Sequence, residues 1–302
     1  MRLIRVAGMM TLLGVLCCTS ARAGVVINEI FYHAPNDLED LQWIELFNSG
    51  DQPVDISGWS LDQGKLFTFP KDTAIAAQGY LVVALSTNQF RLNYRLPSLG
   101  PLKKPLKHGG GQIELQNAAG ERVDLAKYKD HDPWPASPDG YSSSLERICP
   151  LASGEVAENW AASPLPQEQP KPGGTPGKKN TCFSAVLPPT IKVTSEVLQD
   201  AAPKQPLNVE VEAKDPVAIR GINLLYRTVA DGVESKELSL LMDKNATGKF
   251  SSAIPPQNAG TLVRYRIKVE AEGASRFYPS ENDLSNTFST YIHDPWPAAK
   301  IP

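Results

Sequence analysis

Carboxylate side chains of the kind that bind calcium are concentrated near the N-terminus. Eight acids and no lysine or arginine lie between Gly24 and Gly64: Glu29, Asp37, Glu39, Asp40, Glu45, Asp51, Asp55 and Asp62. Proteins hold Ca²⁺ with oxygen ligands carried on loops, so the NDLED loop, with Asp37, Glu39 and Asp40, is the predicted calcium site. Asp130 and Asp132 are further candidates. The alternative is a solvated acidic face, which the absence of a D-x-D-x-D-G spacing favours.

The opposite charge follows downstream, in the segment RLNYRLPSLGPLKKPLKH. It contains no acid and five cations: Arg91, Arg95, Lys103, Lys104 and Lys107. A long basic loop with Tyr94 as a stacking face is typical of a site that binds an anionic polymer, either wall polysaccharide or nucleic acid. An ordinary solvated loop that faces the acidic side of its own domain is the alternative.

Two cysteines, Cys149 and Cys182, remain once the leader described below is removed, and they flank a proline-rich stretch. A lone pair in an exported chain is typical of one disulfide bond. That bond would close an interval of 33 residues (182 − 149) and stabilise the fold by about 3 to 4 kcal/mol. Two free thiols are the alternative.

Catalytic motifs are missing from the sequence. The four histidines are scattered, and none of the motifs H-E-x-x-H, C-x-x-C and G-x-S-x-G occurs. Gly109, Gly110 and Gly111 precede a predicted strand, so they lack the helix N-terminus that binds phosphate. We therefore predict that the protein is not an enzyme and has no cofactor other than calcium.

The first 23 residues have the three parts of a secretory signal peptide. These are Arg2 and Arg5, an apolar run over residues 6–18, and the sequence A-R-A ending at Ala23. No segment has the roughly 20 apolar residues of a membrane-spanning helix. We therefore expect export to the periplasm, the cell surface or the medium. Without the leader, 27 basic residues (30 − 3) face 33 acids, which does not favour nucleic acid as a partner.

Short runs of strand length, bounded by turn residues, dominate residues 24–162. They are VVINEIFY, WIELFN, VDISGWSL, LFTFP, YLVVAL, QIELQN and RVDLAKY. WIELFN carries apolar residues on both faces, so it should be an inner strand, and VDISGWSL should bend at Gly58. We therefore expect Trp43 and Trp59 to be core residues rather than sugar-binding platforms.

A second set of strands occupies residues 188–292. Two apolar alternations mark it: Leu207, Val209 and Val211 in one strand, and Val263, Tyr265, Ile267 and Val269 in another. Seven short strands over about a hundred residues indicate an immunoglobulin or fibronectin type III sandwich. Residues 163–187 are rich in proline and glycine and should lie extended over a surface, and residues 293–302 form a tail. The predicted fold class is all-β, with two immunoglobulin-like β-sandwich domains joined by a Pro-rich strap.

Four segments of the first domain occur in an informative order: VVINEIF, WIELFNSGDQPVDISGWSL, TFPKDTAIAAQGYLVVAL and GGGQIELQNAAGERVDLAKY. In this order they resemble the lamin-tail domain, an immunoglobulin-like sandwich of nuclear lamins and of many exported bacterial proteins. The later segments PWPASPDGYSSSLERICP, NWAASP and GTPGKKN look like the C-terminal extension of the bacterial versions. The resemblance covers about residues 24–182. It implies a non-catalytic interaction module and carries no catalytic residue.

The resemblance also implies a context. Exported bacterial chains of this build often continue from lamin-tail and fibronectin-like domains into a spore-coat-type kinase domain, whereas this sequence ends at HDPWPAAKIP, where such a domain would begin. We therefore expect an exported, non-catalytic adhesion or scaffolding protein that binds a cell-envelope protein or polysaccharide. The alternative is an accessory or N-terminal fragment of an extracytoplasmic kinase- or hydrolase-type enzyme whose catalytic domain is on another chain.

Overall fold

The computed structural model describes residues 24–167, 171–196, 199–213, 219–280 and 282–295. The predicted signal peptide, residues 1–23, and residues 296–302 of the predicted tail lie outside these ranges. The fold is all-β, with two immunoglobulin-like β-sandwich domains joined by a Pro-rich strap, and the predicted fold class is confirmed.

The first domain contains eleven described strands. They are β1 (Val25–Phe31), β2 (Trp43–Asn48), β3 (Val54–Asp55), β4 (Ser60–Leu61), β5 (Phe67–Thr68), β6 (Ala74–Ile75), β7 (Tyr80–Ala84), β8 (Gly111–Gln116), β9 (Arg122–Tyr128), β10 (Leu145–Arg147) and β11 (Trp160–Ala162). One sheet has the order β11-β10-β1-β2-β7 and another the order β5-β4-β8-β9, while β3 and β6 pair with each other. Side chains such as Ile27, Leu46 and Leu115 form the core that both larger sheets share.

The strand β2 has the bounds of the WIELFN run, and all six of its residues are buried. Ile44 and Leu46 face the shared core, whereas Trp43 packs in a second apolar cluster on the opposite face of the sheet. Apolar burial on both faces confirms the predicted inner strand and the core position of Trp43. The predicted bend is also present, because Gly58 has a φ of 74° between β3 and β4, and Trp59 packs partly buried against the core.

An α-helix, α1 (Thr87–Tyr94), begins the basic segment, where the sequence predicted a loop. The Ser86 hydroxyl accepts a hydrogen bond from the Gln89 N–H at 3.3 Å and so caps the first turn. Arg95 ends the helix in the left-handed conformation, with its N–H donating to the Arg91 carbonyl. The prediction was wrong because a capped helix of two turns is too short to show a helical period. Two 3-10 helices, Asn36–Leu41 and Ala157–Asn159, complete the helical residues of this domain.

The second domain contains a further eleven described strands. They are β12 (Ile191–Val193), β13 (Asp200–Ala201), β14 (Leu207–Ala213), β15 (Ile219–Ala230), β16 (Val233–Glu234), β17 (Leu238–Leu241), β18 (Asp243–Lys244), β19 (Phe250–Ile254), β20 (Thr261–Ala271), β21 (Ala274–Tyr278) and β22 (Phe288–Ile292). One sheet has the order β12-β14-β19-β18 and the other the order β13-β22-β20-β15-β16, to which β17 and β21 also pair. Both predicted alternations are confirmed, because every residue named for β14 and β20 is buried in this domain's core.

The two domains touch through a small polar contact. The Asp283 carboxylate accepts a hydrogen bond from the Ala136 N–H at 3.1 Å, and the Asn282 amide donates to the Ala162 carbonyl at 3.1 Å. Burial in this contact raises the pKa of Asp283 above its usual value. No helix in the ranges that the structure describes is long and apolar enough to cross a membrane.

The predicted disulfide between Cys149 and Cys182 is absent from the structure, in which both are free thiols. The Cys149 sulfur lies 3.4 Å from the Ala185 carbonyl, whereas the Cys182 sulfur lies 3.7 Å from the Glu146 carbonyl. Each thiol thus has its own carbonyl partner. The strap is held by hydrogen bonds instead, one of which runs from the Ser184 N–H to the Ile148 carbonyl at 2.8 Å.

Candidate functional site

Three glutamates form a row across the five-stranded sheet of the first domain. Glu29 on β1 lies directly opposite Glu146 on β10 and directly opposite Glu45 on β2. All three are fully buried. Like charges directly opposite each other on neighbouring strands destabilise a sheet, so this row requires strong local compensation.

Residues 171–185 of the strap supply that compensation from above the sheet. The Thr175 N–H donates to Glu29 at 2.8 Å, and the Gly177 N–H donates to Glu45 at 2.5 Å. The Thr181 hydroxyl donates to Glu146 at 2.7 Å. Backbone donors aimed at a carboxylate need no side chain, which explains how a stretch rich in glycine can bind Glu29 and Glu45.

Gly174 allows the strap to approach this closely. Its φ is 93°, in the left-handed region that glycine adopts without strain. A β-carbon at this position would lie 2.9 Å from Glu29 Oε1 and 2.9 Å from Trp43 Cζ2. Both the backbone conformation and the space beneath the strap therefore require glycine.

A pair of asparagines extends the network at the end of the row. Asn28 donates to Glu45 at 2.9 Å and to the Asn180 side-chain oxygen at 2.8 Å. Asn180 in turn donates to the Arg147 carbonyl at 2.8 Å. Both amides are buried and have hydrogen-bond partners, so they fix the strap in one register on the sheet.

Burial shifts two acids of this row, Glu29 and Glu45, toward their neutral forms. It raises the pKa of Glu29 well above the ordinary value, and the nearby Glu45 and Glu146 raise it further. It raises the pKa of Glu45 to about 8, against the opposing effect of the bond from Gly177. Burial also raises the pKa of the Cys182 thiol, with Glu146 adding to the shift.

The contacts of the Thr175 hydroxyl also indicate a protonated carboxyl in the row. Its oxygen lies 3.1 Å from Glu29 Oε2 and 3.0 Å from Glu146 Oε1. A hydroxyl carries one proton and can donate to only one acceptor. The second contact therefore needs a protonated carboxyl as its donor. Because the row is sealed from solvent and bonded to the chain itself, it secures the strap and presents no acid or base to a substrate.

A buried ion pair lies beside the row. Arg147 is 2% exposed, and its guanidinium donates to Asp124 at 2.7 Å and to the Ile27 carbonyl at 3.1 Å. It therefore joins β10 to β9 and β1. Neither partner was singled out from the sequence.

Tyr94, predicted to offer a stacking face to a ligand, packs toward the sheet. Its ring meets Trp43 edge to face, with centroids 5.7 Å apart. Its hydroxyl accepts from the Trp43 indole N–H at 3.2 Å and donates to the Gly173 carbonyl at 2.8 Å. This ring therefore joins α1 to the strap, and its role as a stacking face for a ligand stays a prediction.

The five predicted cations are all exposed: Arg91, Arg95, Lys103, Lys104 and Lys107. Within the described ranges none of them forms an ion pair, and Lys103 donates to the Gly64 carbonyl at 2.6 Å. We call these five residues the basic surface. The strap has three exposed lysines, Lys171, Lys178 and Lys179, which the sequence did not connect with the basic surface.

The predicted calcium ligands lie on the 3-10 helix Asn36–Leu41. The structure describes the side chain of Asp40, which is exposed, but not those of Asp37 and Glu39. Asp130, a further candidate, pairs instead with His131 at 2.7 Å. Calcium binding by Asp37, Glu39 and Asp40 stays a prediction. Elsewhere in the described chain, no group of three or more histidine, cysteine or acidic side chains is arranged to hold a metal ion.

Two of the histidines that look scattered in the sequence meet in the fold. The rings of His33 and His108 stack with centroids 3.8 Å apart, and His33 Nδ1 lies 2.6 Å from Asp139 Oδ1. This pair connects β1 to the loop that carries Ala136, and so lies near the contact with the second domain.

The residues of the glutamate row were partly visible in the sequence. Glu29 and Glu45 were counted among the acids of a solvated face, yet both are 0% exposed. The signal that pointed to burial was the apolar content on both faces of WIELFN, which leaves no wet face for Glu45. Glu146 and the donors of the strap had no such signal, because Thr175 and Gly177 lie 146 and 132 positions from the acids they bind, and Thr181 lies 35 positions from Glu146.

The comparisons with known proteins bear on the domain that carries this row. Residues 19–130 match the family model of the Lamin Tail Domain. The resemblance is thereby confirmed for an immunoglobulin-like module of this kind. No curated protein matches the sequence significantly.

Two solved structures show weak likeness. The murine CRIg structure is 7% identical with a TM-score of 0.24, and the match covers 36% of this chain and 98% of that one. Escherichia coli alpha-2-macroglobulin activated by porcine elastase is 10% identical with a TM-score of 0.22, and the match covers 87% of this chain and 22% of that one. Both scores are too low to bear on function.

Proposed function

We propose that this protein is an exported, non-catalytic binding or scaffolding protein of the bacterial cell envelope, and that its basic surface binds an anionic polymer of the envelope. The leader in residues 1–23 supports export. The match to the Lamin Tail Domain supports a binding role for the first domain. Acidic wall polysaccharide is the polymer that fits an envelope location.

The observation that carries this proposal is the state of the five cations. The whole chain has 33 acids and 30 basic residues, so there are enough acids for each cation to form an ion pair. Several cations of the second domain have such a partner, as in the pairs Arg227–Glu234 and Lys249–Glu210. The basic surface has no such partners in the described structure, and its cations are therefore available for a polyanion.

A titration with polygalacturonate, as the acidic polysaccharide, and with single-stranded DNA tests the proposal. We expect the full chain without its leader to bind polygalacturonate at low salt and to lose affinity steeply as salt rises, because binding releases counterions. The variant R91Q/R95Q/K103Q/K104Q/K107Q should bind at least about tenfold more weakly, with a smaller dependence on salt.

A matched variant removes the same amount of charge from the second domain. It changes five exposed cations there: R220Q/K192Q/K204Q/K236Q/K244Q. This variant should bind polygalacturonate nearly as the parent does. Equal losses in both variants would mean that net charge alone drives binding, and no binding to polygalacturonate at low salt would overturn the proposal. DNA binding without polysaccharide binding would point to nucleic acid as the partner.

A further inference from the structure

An apolar groove of about 390 Å³ runs beside β7, the last strand of the five-stranded sheet. Its walls are Tyr80–Val82 of β7 on one side and residues 96–99 on the other, with Gly177 of the strap at one end. No acidic residue lines it. The groove is therefore bounded by a sheet edge, the segment after α1 and the strap.

The backbone of β7 is only partly paired on the side that faces the groove. In its antiparallel pairing with β2, alternate residues turn their N–H and C=O groups outward. Residues 99–102 occupy some of these groups, because Leu99 donates to the Val82 carbonyl at 2.8 Å and Leu102 to the Ala84 carbonyl at 2.9 Å. The N–H and C=O of Tyr80 and the N–H of Val82 have no partner within the described chain.

A fourth polar group in the groove is also unsatisfied. The Ser98 hydroxyl is buried and has no hydrogen-bond partner in the described structure. Buried polar groups without partners are costly, and here they lie between apolar walls. An extended polypeptide can satisfy both parts of the groove. Its alternating N–H and C=O groups can form hydrogen bonds with the unpaired groups of β7, and its apolar side chains can pack against the apolar walls.

The positive charge beside the groove indicates which kind of peptide it can bind. Arg95 directly precedes the lining residue Leu96, and Lys178 directly follows Gly177. Both side chains are exposed and form no ion pair in the described ranges. Cations beside the groove and an acid-free lining favour a strand that carries carboxylates outside its apolar contacts.

We propose that this groove binds an extended acidic segment of a partner protein, which adds as a strand to the free edge of β7. Its backbone pairs with Tyr80 and Val82, an apolar side chain enters the groove, and flanking carboxylates meet Arg95 and Lys178. The inference goes beyond the proposed function, because it names a separate site and a different partner, although Arg95 belongs to both sites.

The probe is an acetylated and amidated heptapeptide of alternating glutamate and valine, titrated into the ¹⁵N-labelled chain. We expect amide shifts centred on Tyr80 and Val82 and slower solvent exchange at both. The same peptide with N-methylated valines cannot donate to the edge, and should bind at least about tenfold more weakly. The variant R95Q/K178Q should also weaken binding, whereas R220Q/K192Q should not.

Several results would overturn the proposal. No shift at millimolar peptide, or equal binding of the N-methylated peptide, would rule out strand addition. Shifts at Tyr80 and Val82 that grow with protein concentration alone would identify a second copy of this chain as the occupant. If polygalacturonate binds to the basic surface while the peptide leaves the groove unchanged, this inference fails and the proposed function stands. If the peptide binds in the groove while polygalacturonate does not bind, the proposed function fails and this inference stands.

Discussion

The two sandwiches treat charged residues on their sheets in opposite ways. The first domain buries Glu29, Glu45 and Glu146 beneath the strap, where backbone donors reach them. The second domain keeps its charges at the surface: Arg266 makes two hydrogen bonds of 3.0 Å to Glu237, and Lys268 pairs with Glu270. In the first domain the partner comes from a distant segment, and in the second it lies directly before β17 or two residues away on the same strand.

This difference shows that the number of charged contacts in a domain says little about how much they contribute to its stability. Exposed pairs are screened by water and are worth about 0 to 1 kcal/mol each. Buried charges are costly to place and far more costly to leave unpaired. Equivalent substitutions in the two domains should therefore have very unequal effects.

The largest effect should follow removal of the Arg147 guanidinium. Arg147→Ala leaves Asp124 without its cation and the Ile27 carbonyl without its donor, and should lower the free energy of unfolding by about 3 to 5 kcal/mol. Urea unfolding followed by tryptophan fluorescence measures this, because Trp43 and Trp160 are buried in the first domain. The double variant R147L/D124L should recover part of the loss, since it leaves no unpaired charge. A loss below 1 kcal/mol for Arg147→Ala would show that solvent reaches this pair freely.

An effect that is smaller at each pH unit, and visible as a dependence on pH, should come from Glu45. Its pKa in the folded chain is about 8, against an ordinary value of 4.5. Between these values the folded state holds a proton that the unfolded state has lost, so the free energy of unfolding falls as pH rises from 4.5 to 8. One such proton changes it by about 1.4 kcal/mol per pH unit.

Glu45→Gln keeps the shape and removes this titration. Unfolding of the first domain, measured between pH 5 and pH 8, should therefore depend less on pH in the variant than in the parent. Glu237→Gln is the matched control in the second domain and should leave the slope unchanged. An identical slope in the parent and in Glu45→Gln would contradict a protonated Glu45.

The smallest effect should follow Arg266→Gln in the second domain. The substitution removes two hydrogen bonds to Glu237, but Glu237 remains 34% exposed and stays hydrated. We expect a loss of about 0.5 kcal/mol or less, reduced further at high salt. Thermal unfolding of the full chain at low and high salt measures it. A loss comparable to that of Arg147→Ala would abolish the contrast between the domains.

The strands of the fold could be predicted from the sequence because their signal is local. β2, β14 and β20 each carry an apolar pattern that fixes their faces within a few residues. α1 was missed because eight residues hold too few turns to show a period. The strap was recognised from its composition as an extended segment, but its attachment was assigned to a disulfide.

The glutamate row could not be predicted in the same way. Nothing near Glu29 in the sequence indicates that Thr175 will donate to it, or that Glu146 will lie opposite it. The basic surface was visible because its members are neighbours in the chain, whereas the groove beside β7 depends on residues 80–82, 96–99 and 177 coming together. Sites built from long-range contacts leave no pattern within any short window of sequence.

The separation in sequence between Glu29 and the strap also affects the order in which the first domain can fold. Glu29 leaves the ribosome 146 residues before Thr175, which at about 5 to 20 residues per second is a delay of roughly 7 to 30 s. During that interval β1 and β2 can pair, but their buried acids have no donors above them. The first domain can therefore complete its folding only once the strap has emerged, and the outer face of the nascent sheet stays open until that segment arrives.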